Sequence, residues 1–167
     1  GAFYYTNPEE PSPDIQLHFA FSMVDQHGLK KHGRGGFTCH ICVLRPKSVG
    51  SVKLADANPN SPPLIDPAFL KDERDLDTML AGVKQAQQIM QAPSFDAHRG
   101  KALYAGASND DEELKEDIRN RADTIYHPVG TCKMGPDSDP NAVVDQRLRV
   151  RGIKSLRVID ASIMPKI

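Results

Sequence analysis

Residues 14–24 alternate between apolar and polar or small side chains, and this alternation restricts the fold more than any other feature of the sequence. Successive side chains of a β-strand point to opposite faces of a sheet, so the pattern predicts a strand with one buried face. Its apolar face carries Ile15, Leu17, Phe19, Phe21 and Met23. Residues 37–44 form a second run rich in β-forming residues. We expect the two strands to pair as a hairpin or through a longer loop.

A third short strand is expected at residues 50–55, and residues 56–67 follow it with a high density of turn-forming residues. Regular structure should stop in that second segment. Between residues 73 and 91, apolar side chains recur at steps of three and four, and Pro93 closes the pattern. This spacing predicts an amphipathic α-helix.

Residues 110–122 predict a second helix, because acidic residues at its start and arginines at its end complement the helix dipole. Two short β-rich segments follow at residues 148–150 and 156–159. Strands, then helices, then strands again predict an α+β fold class. In this class an antiparallel sheet has helices packed on one face.

Charge and hydropathy exclude several classes of partner. Lys and Arg number 21 against 22 for Asp and Glu, so the formal net charge of −1 gives no long-range attraction to nucleic acid or to an anionic membrane. No apolar run approaches the ~18–20 residues that span a bilayer. The first 13 residues do not resemble a signal peptide. We therefore expect no nucleic-acid partner.

The three cysteines cannot all pair with one another, and nothing else in the sequence indicates a secreted disulfide scaffold. A reduced, intracellular setting is the expectation. Cys39 and Cys42 form a C-x-x-C motif, but in a strand their side chains would point to opposite faces. A zinc or redox site at this pair lacks a second ligand pair and a helix start, so no metal is expected.

His127 stands immediately before Pro128 in a segment with two glycines, Gly130 and Gly135. Proline fixes its own φ angle and pushes the preceding residue toward an extended conformation, so local geometry restricts how the imidazole is presented. A histidine held in this way suits proton transfer near neutral pH. Two alternatives stay open from the residues alone: a structural or exposed histidine, and a metal site with Cys132 that has no third ligand nearby in sequence.

The C-terminal part contains a series of closely spaced motifs: residues 126–135 (YHPVGTCKMG), 144–145 (VD), 148–153 (LRVRGI), 156–162 (LRVIDAS) and 164–165 (MP). In their order and spacing they resemble the signature of glucose-methanol-choline (GMC) oxidoreductases. Upstream, residues 45–48 (RPKS) and 63–67 (PLIDP) are similar to the substrate-binding domain of the same family. Val49 departs from the family, in which an arginine is common at this position.

The resemblance implies an enzyme that oxidises choline or another primary alcohol to the aldehyde by hydride transfer to FAD. It implies that His127 handles the hydroxyl proton, and that Asp160 and Ala161 bind the cofactor at a strand end. Residues 1–126 would be a substrate-binding domain truncated at its N-terminal side. Residues 127–167 would be the catalytic-histidine loop with a C-terminal strand segment from the FAD domain.

The remaining histidines receive weaker predictions. His18 and His40 fall on the less apolar faces of the first two predicted strands. Within a substrate-binding domain they either point into the substrate cavity or lie exposed or hydrogen-bonded. No role is predicted for three others in polar loops or at an element end: His27, His32 and His98.

The chain is expected to be one part of such an enzyme. It has no G-x-G-x-x-G fingerprint for FAD, and the family's second catalytic residue, a histidine or asparagine, would follow Ile167. We therefore expect that the isolated chain neither holds FAD tightly nor oxidises alcohols. Its partners would be a small alcohol substrate and the missing N-terminal FAD domain.

Apolar surface that the missing domain would leave exposed favours a homodimer of the chain. The expected location is cytoplasmic or peripheral at the inner face of a membrane. A stand-alone substrate- or protein-binding module without redox activity is the alternative to an enzyme part.

Overall fold

The computed structural model describes residues 1–33 and 35–167. Arg34, in the glycine-rich segment between the first two predicted strands, lies outside the described residues. The chain forms two compact units, each built from two segments. The first consists of Gly1–Val49 and Phe69–Asp123, and the second of Gly50–Ala68 and Thr124–Ile167. The division into a substrate-binding domain and an FAD-domain segment at residues 126 and 127 stays a prediction.

The first unit contains a three-stranded antiparallel sheet in the order β1-β2-β3. β1 is Ala2–Tyr4, β2 is Ile15–Ala20 and β3 is Thr38–Val43. Both strands predicted for this part of the chain are confirmed in shorter form, and a longer loop with left-handed φ angles at residues 26–28 joins them. β1 has no counterpart among the predicted strands, because three residues are too few for alternation to be recognised.

Helix α1, Glu73–Met90, confirms the first predicted helix and packs against one face of this sheet. The buried cluster at this contact consists of Ile15, Leu17 and Ala86. Helix and sheet lie close together at Gly82, where a Cβ atom would lie 2.8 Å from Ile41 Cγ2 and 2.9 Å from Ile15 Cδ1. Tyr4 donates a hydrogen bond from its hydroxyl to the Gly82 carbonyl at 2.9 Å. Glycine thus allows helix and sheet to touch.

Helix α2, Asp111–Arg121, packs against α1 over a second apolar cluster. That cluster consists of Leu76, Leu80, Ala105, Leu114 and Ile118. The Asp110 carboxylate accepts hydrogen bonds from the backbone N–H groups of Glu112 and Glu113, which have no partner inside the helix. The second predicted helix is therefore confirmed. The two ends of its predicted range, Asp110 and Ala122, are the N-cap and C-cap residues of α2.

A buried carboxylate holds the loop between β2 and β3. Asp25 accepts hydrogen bonds from the Tyr104 hydroxyl and from His32 Nε2, the latter at 2.8 Å. Arg121 lies 3.6 Å from the same carboxylate. The hydrogen bond from Tyr104, followed by that from His32, lowers the pKa of Asp25 although its burial acts in the opposite direction. His32, for which the sequence predicts no role, therefore stabilises this loop.

The second unit contains a two-stranded antiparallel sheet of β4, Ser51–Lys53, and β5, Leu64–Asp66. β4 confirms the third predicted strand. The expectation that regular structure stops throughout residues 56–67 is wrong at β5. Pairing with β4 gives that segment its strand conformation, which its proline-rich surroundings do not indicate.

The β-rich segments 148–150 and 156–159 meet through an isolated bridge, Arg149 to Arg157, and not through continuous strands. Val150 also bridges to Val144, which lies outside both segments. Left-handed φ angles of 64° at Leu148 and 61° at Ser155 interrupt the extended conformation that a regular ladder requires. The prediction of two strands is therefore wrong here, although the two segments do meet.

The three cysteines are free thiols. Cys39 lies opposite Phe19 and Cys42 opposite Gln16, so the two side chains lie on opposite faces of the sheet, as predicted. Burial raises the pKa of both thiols, so both are protonated at neutral pH. Separately, none of the helices in the described part of the chain combines the length and apolar character needed to cross a membrane.

Candidate active site

The predicted catalytic histidine lies in the second unit, at the start of residues 127–135, the His127 loop. Tyr126, directly before it, has a left-handed φ of 64°, and its backbone N–H donates to Thr124 Oγ1 at 2.9 Å. Pro128 restricts the backbone on the other side. The His127 side chain is exposed. Across residues 1–33 and 35–167 its imidazole takes part in no hydrogen bond or ion pair, so a constrained backbone presents a free ring to solvent.

Two backbone hydrogen bonds anchor the His127 loop to the C-terminal turn. Cys132 N–H donates to the Ser162 carbonyl at 3.0 Å, and Met134 N–H donates to the Ile163 carbonyl at 2.8 Å. Gly130 adopts a left-handed φ of 86°, a conformation that favours glycine, and its carbonyl accepts a hydrogen bond from Lys133 N–H at 3.1 Å that closes a turn over residues 130–133. The loop is therefore held to the same turn that contains the predicted cofactor residues.

Two ion pairs stabilise the C-terminal end of the His127 loop. Lys133 Nζ lies 2.8 Å from the Asp139 carboxylate, and this hydrogen bond lowers the pKa of Asp139. Arg151 donates to the Gly135 carbonyl at 2.8 Å and pairs with Asp137 at 2.5 Å. These ion pairs were not predicted from the sequence, because the order of charged residues along the chain does not show which carboxylate pairs with which cation.

Asp145 holds the turn that follows. Its carboxylate accepts hydrogen bonds from the backbone N–H groups of Arg147 at 2.8 Å and Arg149 at 3.0 Å. The Arg149 side chain pairs with it at 2.7 Å. These contacts, with the Arg149 side chain first, lower the pKa of Asp145 to about 2. The carboxylate is therefore ionised at neutral pH and fixes the direction of the Arg149 guanidinium.

The two residues predicted to bind a cofactor lie at the start of a 3₁₀ helix, Ala161–Ile163. Asp160 accepts a hydrogen bond from Ser162 N–H at 2.7 Å, and bonding with Ser162 lowers its pKa, so this exposed carboxylate stays anionic. Ala161 is exposed, and its N–H donates no hydrogen bond within the described residues.

This donor and acceptor set decides which part of FAD the turn fits. An anionic carboxylate accepts hydrogen bonds from hydroxyl groups and repels phosphate, whereas a free N–H donates to phosphate or carbonyl oxygen. Asp160 and Ala161 together fit the hydroxylated ribityl chain and one neighbouring oxygen. A diphosphate group needs several hydrogen-bond donors, and this turn offers only one free N–H.

The metal interpretation of His127 gains no third ligand from the fold. Over the described ranges, no group of three or more His, Cys, Asp or Glu side chains could hold a metal ion. Cys132 and Met134 are half-buried. A role of the exposed imidazole in proton transfer stays a prediction.

His18 and His40 lie in the first unit, directly opposite each other in the β2–β3 pair. Both are half-buried, on the sheet face opposite to the one that packs on α1. Burial, followed by the neighbouring His18, lowers the pKa of His40. Contact of these two side chains with a substrate stays a prediction.

Known proteins resemble this chain over most of its length. The family model described as GMC oxidoreductase matches residues 46–167. The whole chain aligns with 30% of the alcohol dehydrogenase (acceptor) of Pseudomonas putida at 48% identity. Over 99% of its length, the chain also aligns with 28% of the mitochondrial choline dehydrogenase of Homo sapiens at 42% identity.

Solved structures agree with the α+β prediction. Pyridoxine 4-oxidase from Mesorbium loti superposes with a TM-score of 0.84 and 29% identity, over 93% of this chain and 30% of that protein. A formate oxidase superposes with a TM-score of 0.83 and 28% identity, over 93% of this chain and 28% of that protein. The chain spans about 30% of the length of the curated relatives that it matches.

Proposed function

The chain belongs to the GMC oxidoreductase family, and we propose on this premise that it is part of a flavin-dependent enzyme that oxidises an alcohol. Relatives named alcohol dehydrogenase and choline dehydrogenase favour choline or another primary alcohol as the substrate and the aldehyde as the product. One observation carries the proposal. The His127 loop presents an exposed imidazole from a constrained backbone and is anchored to the turn of Asp160 and Ala161.

His127 takes the proton of the substrate hydroxyl. An imidazole accepts a proton near neutral pH, and the imidazolium that forms stabilises negative charge on the substrate oxygen. The left-handed φ of Tyr126 and the ring of Pro128 already restrict the backbone of the loop. The loop therefore loses less conformational entropy when substrate binds. The anchors at Cys132 and Met134 keep this geometry while the proton moves.

When bound, FAD would supply the acceptor for the hydride that leaves the carbon bearing the hydroxyl group. Asp160 would accept hydrogen bonds from ribityl hydroxyls of the cofactor, and Ala161 would donate its free N–H to a neighbouring oxygen. The hydrogen bond from Ser162 keeps the Asp160 carboxylate oriented and anionic for this task.

Tight FAD binding and turnover require the N-terminal part of the enzyme. Ile153, Leu156 and Ile159 expose 56%, 47% and 77% of their surface. Their segment pairs with residues 148–150 through an isolated bridge and carries apolar side chains that suit burial against another element. The isolated chain should therefore purify without visible flavin absorbance, and a yellow preparation would contradict this.

The same exposed apolar residues favour a homodimer of the isolated chain. Light scattering would measure it, and a strictly monomeric chain at high concentration would remove this part of the proposal. The cytoplasmic or membrane-peripheral location stays a prediction, which fractionation of cells that express the enzyme would test.

A chimera tests the role of His127. In it, this chain replaces the matching 30% of the Pseudomonas putida alcohol dehydrogenase. His127→Ala should lower turnover by ~10²–10⁴-fold, as expected for a lost general base, while flavin absorbance is retained. His98→Ala, which removes an exposed histidine of the first unit, should leave turnover unchanged. Near-normal turnover in His127→Ala would remove His127 from the mechanism.

The cofactor assignment has a separate readout in the same chimera. Asp160→Ala should lower the flavin content per protein, and Asp160→Asn should retain more flavin because an amide oxygen still accepts hydrogen bonds. Full flavin content in Asp160→Ala would contradict the assignment. A chimera that binds FAD and oxidises no alcohol would favour the alternative of a binding module without redox activity.

A further inference from the structure

Two neighbouring carbonyl groups of the C-terminal turn, residues 160–164, hold the His127 loop. Ser162 accepts a hydrogen bond from Cys132 N–H at 3.0 Å, and Ile163 accepts one from Met134 N–H at 2.8 Å. Both carbonyls lie near the end of the 3₁₀ helix in this turn, where helical carbonyl groups have no partner inside the helix. The unused acceptors of a short helix therefore serve as the attachment points of the loop.

The segment that follows His127 has little backbone freedom of its own. Pro128 restricts the backbone directly after the histidine. The hydrogen bond from Lys133 to Gly130 closes a turn, and a Cβ atom at Gly130 would lie 3.5 Å from the Met164 carbonyl oxygen. The loop therefore lies against the C-terminal turn between its two anchors and the histidine. A displacement of that turn would displace the backbone that carries His127.

Ser162 joins this attachment to the carboxylate of Asp160. Its backbone N–H donates to Asp160 Oδ1 at 2.7 Å, and its hydroxyl group bonds to the same carboxylate. Both contacts lower the pKa of Asp160, and the contact with the hydroxyl group lowers it more. Ser162 is half-buried, whereas Asp160 is exposed. One residue thus holds the carboxylate through its N–H and hydroxyl groups, and the His127 loop through its carbonyl group.

We infer that Ser162 is a positioning residue that couples FAD binding at Asp160 to the orientation of the His127 loop. The inference rests on the proposed function, in which ribityl hydroxyls donate hydrogen bonds to Asp160. A carboxylate held by the cofactor changes its rotamer less often, so Ser162, which bonds to it twice, loses freedom as well. The loop that hangs on the Ser162 carbonyl then fluctuates less.

Restriction that one binding event imposes on a neighbouring segment produces positive coupling without a change of fold. FAD therefore orders the His127 loop before the alcohol binds, and less conformational entropy is lost when it does. Coupling between two events is reciprocal, so the ordered loop in return strengthens FAD binding.

Hydrogen–deuterium exchange in the chimera, with FAD bound and after its removal, tests this coupling. FAD should slow exchange of the Cys132 and Met134 amides by about tenfold, the size of one hydrogen bond to a charged group. Ser162→Ala should reduce the slowing to about threefold, because one of the two bonds to Asp160 is lost and the backbone bond remains. Ser162→Thr should restore the full slowing, since threonine keeps the hydroxyl group.

Ser94→Ala is the matched control, because it removes an exposed hydroxyl group in the first unit and should keep the full slowing. Exchange that Ser162→Ala accelerates equally with and without FAD would show a purely structural role and overturn the inference. Full slowing by FAD in Ser162→Ala would also overturn it, as would an unmodified chimera in which bound FAD leaves the exchange unchanged.

The proposed function and the coupling fail in different ways. A chimera in which FAD slows the exchange but no alcohol is oxidised would contradict the proposed function and support the coupling. A chimera that oxidises alcohols while Ser162→Ala changes neither exchange nor flavin content would contradict the coupling alone. A chimera that binds no FAD would remove the cofactor assignment of Asp160 and this inference with it.

Discussion

His18 in β2 lies directly opposite His40 in β3, on the sheet face that does not pack on α1. Residues in this arrangement have Cβ atoms ~4.5–5.5 Å apart, so two protonated imidazoles would repel each other. Burial disfavours the charged form of His40 first, and His18, Arg121 and His27 add positive charge around it. The pKa of His40 is lowered as a result, and the neutral imidazole is the form that suits the fold.

Acidification should destabilise the chain through this pair. Because the pKa of His40 in the folded chain lies below the ordinary 6.5, the unfolded chain binds more protons at intermediate pH. Well above pH 6.5, His40 is neutral in both the folded and the unfolded chain, so it costs no stability there. As the pH falls below about 6.5, the unfolded chain gains the proton first and the unfolding free energy decreases. In urea denaturation, His40→Gln should reduce the fall in unfolding free energy between about pH 7.5 and about pH 5.

His98→Gln is the control for this experiment, since it removes an exposed histidine and should keep the pH dependence of the unmodified chain. A His40→Gln variant with that same dependence would contradict the assignment.

Replacing Asp25 by Asn should loosen the loop between β2 and β3. The amide keeps the shape of the side chain but removes the charge that Tyr104, His32 and Arg121 face. Losing hydrogen bonds at a buried, charged acceptor costs about 1–3 kcal/mol of unfolding free energy. Because the pKa of Asp25 is lowered, its contribution is present above the ordinary aspartate range and is lost as the pH falls through the folded value.

Chemical denaturation at neutral and acidic pH measures both effects. Asp96→Asn is the matched control, because Asp96 forms an exposed pair with Arg99 and should cost no more than about 0.5 kcal/mol. Equal losses of unfolding free energy in the two variants would show that Asp25 stabilises the fold no more than an exposed carboxylate does.

Gly82→Ala should destabilise the first unit despite the higher helix propensity of alanine. The exchange gains about 1 kcal/mol in an exposed helix. Here the new Cβ would lie 2.8 Å from Ile41 Cγ2 and 2.9 Å from Ile15 Cδ1, and overpacking of this kind costs about 1–3 kcal/mol. We expect a lower midpoint in thermal denaturation. Gln85→Ala on the exposed side of α1 should leave it nearly unchanged, and a raised midpoint in Gly82→Ala would contradict the close contact.

Gly135→Ala should disturb the support of the His127 loop. A Cβ atom there would lie 2.9 Å from Ala142 Cβ and 3.1 Å from Asp139 Oδ2, next to the ion pair with Lys133. In the chimera, turnover should fall together with thermal stability, because the loop must move to make room. Gly100→Ala, at an open position where a Cβ meets nothing within 4 Å, is the comparison and should have little effect.

Local patterns in the sequence were sufficient for the main elements and for the family. Alternation in residues 14–24 and the three- and four-residue steps in residues 73–91 are properties of consecutive residues, because strands repeat every two residues and helices every 3.6. The motif around His127 also lies in one continuous stretch, so it could be recognised before the fold was known. Helix ends were predictable because Asp110 and its neighbours act within one turn.

Contacts between distant segments settle the rest. The hydrogen bond from Tyr104 to Asp25 joins residues that are 79 positions apart. The register that sets His18 opposite His40 depends on how the long β2–β3 loop closes. β5 is a strand because β4 supplies its partner, whereas left-handed residues prevent a ladder in residues 148–159. Each short segment allows several conformations, and hydrogen bonds and packing with distant segments determine which one is adopted. The sequence of a short segment does not show which distant segment it will contact.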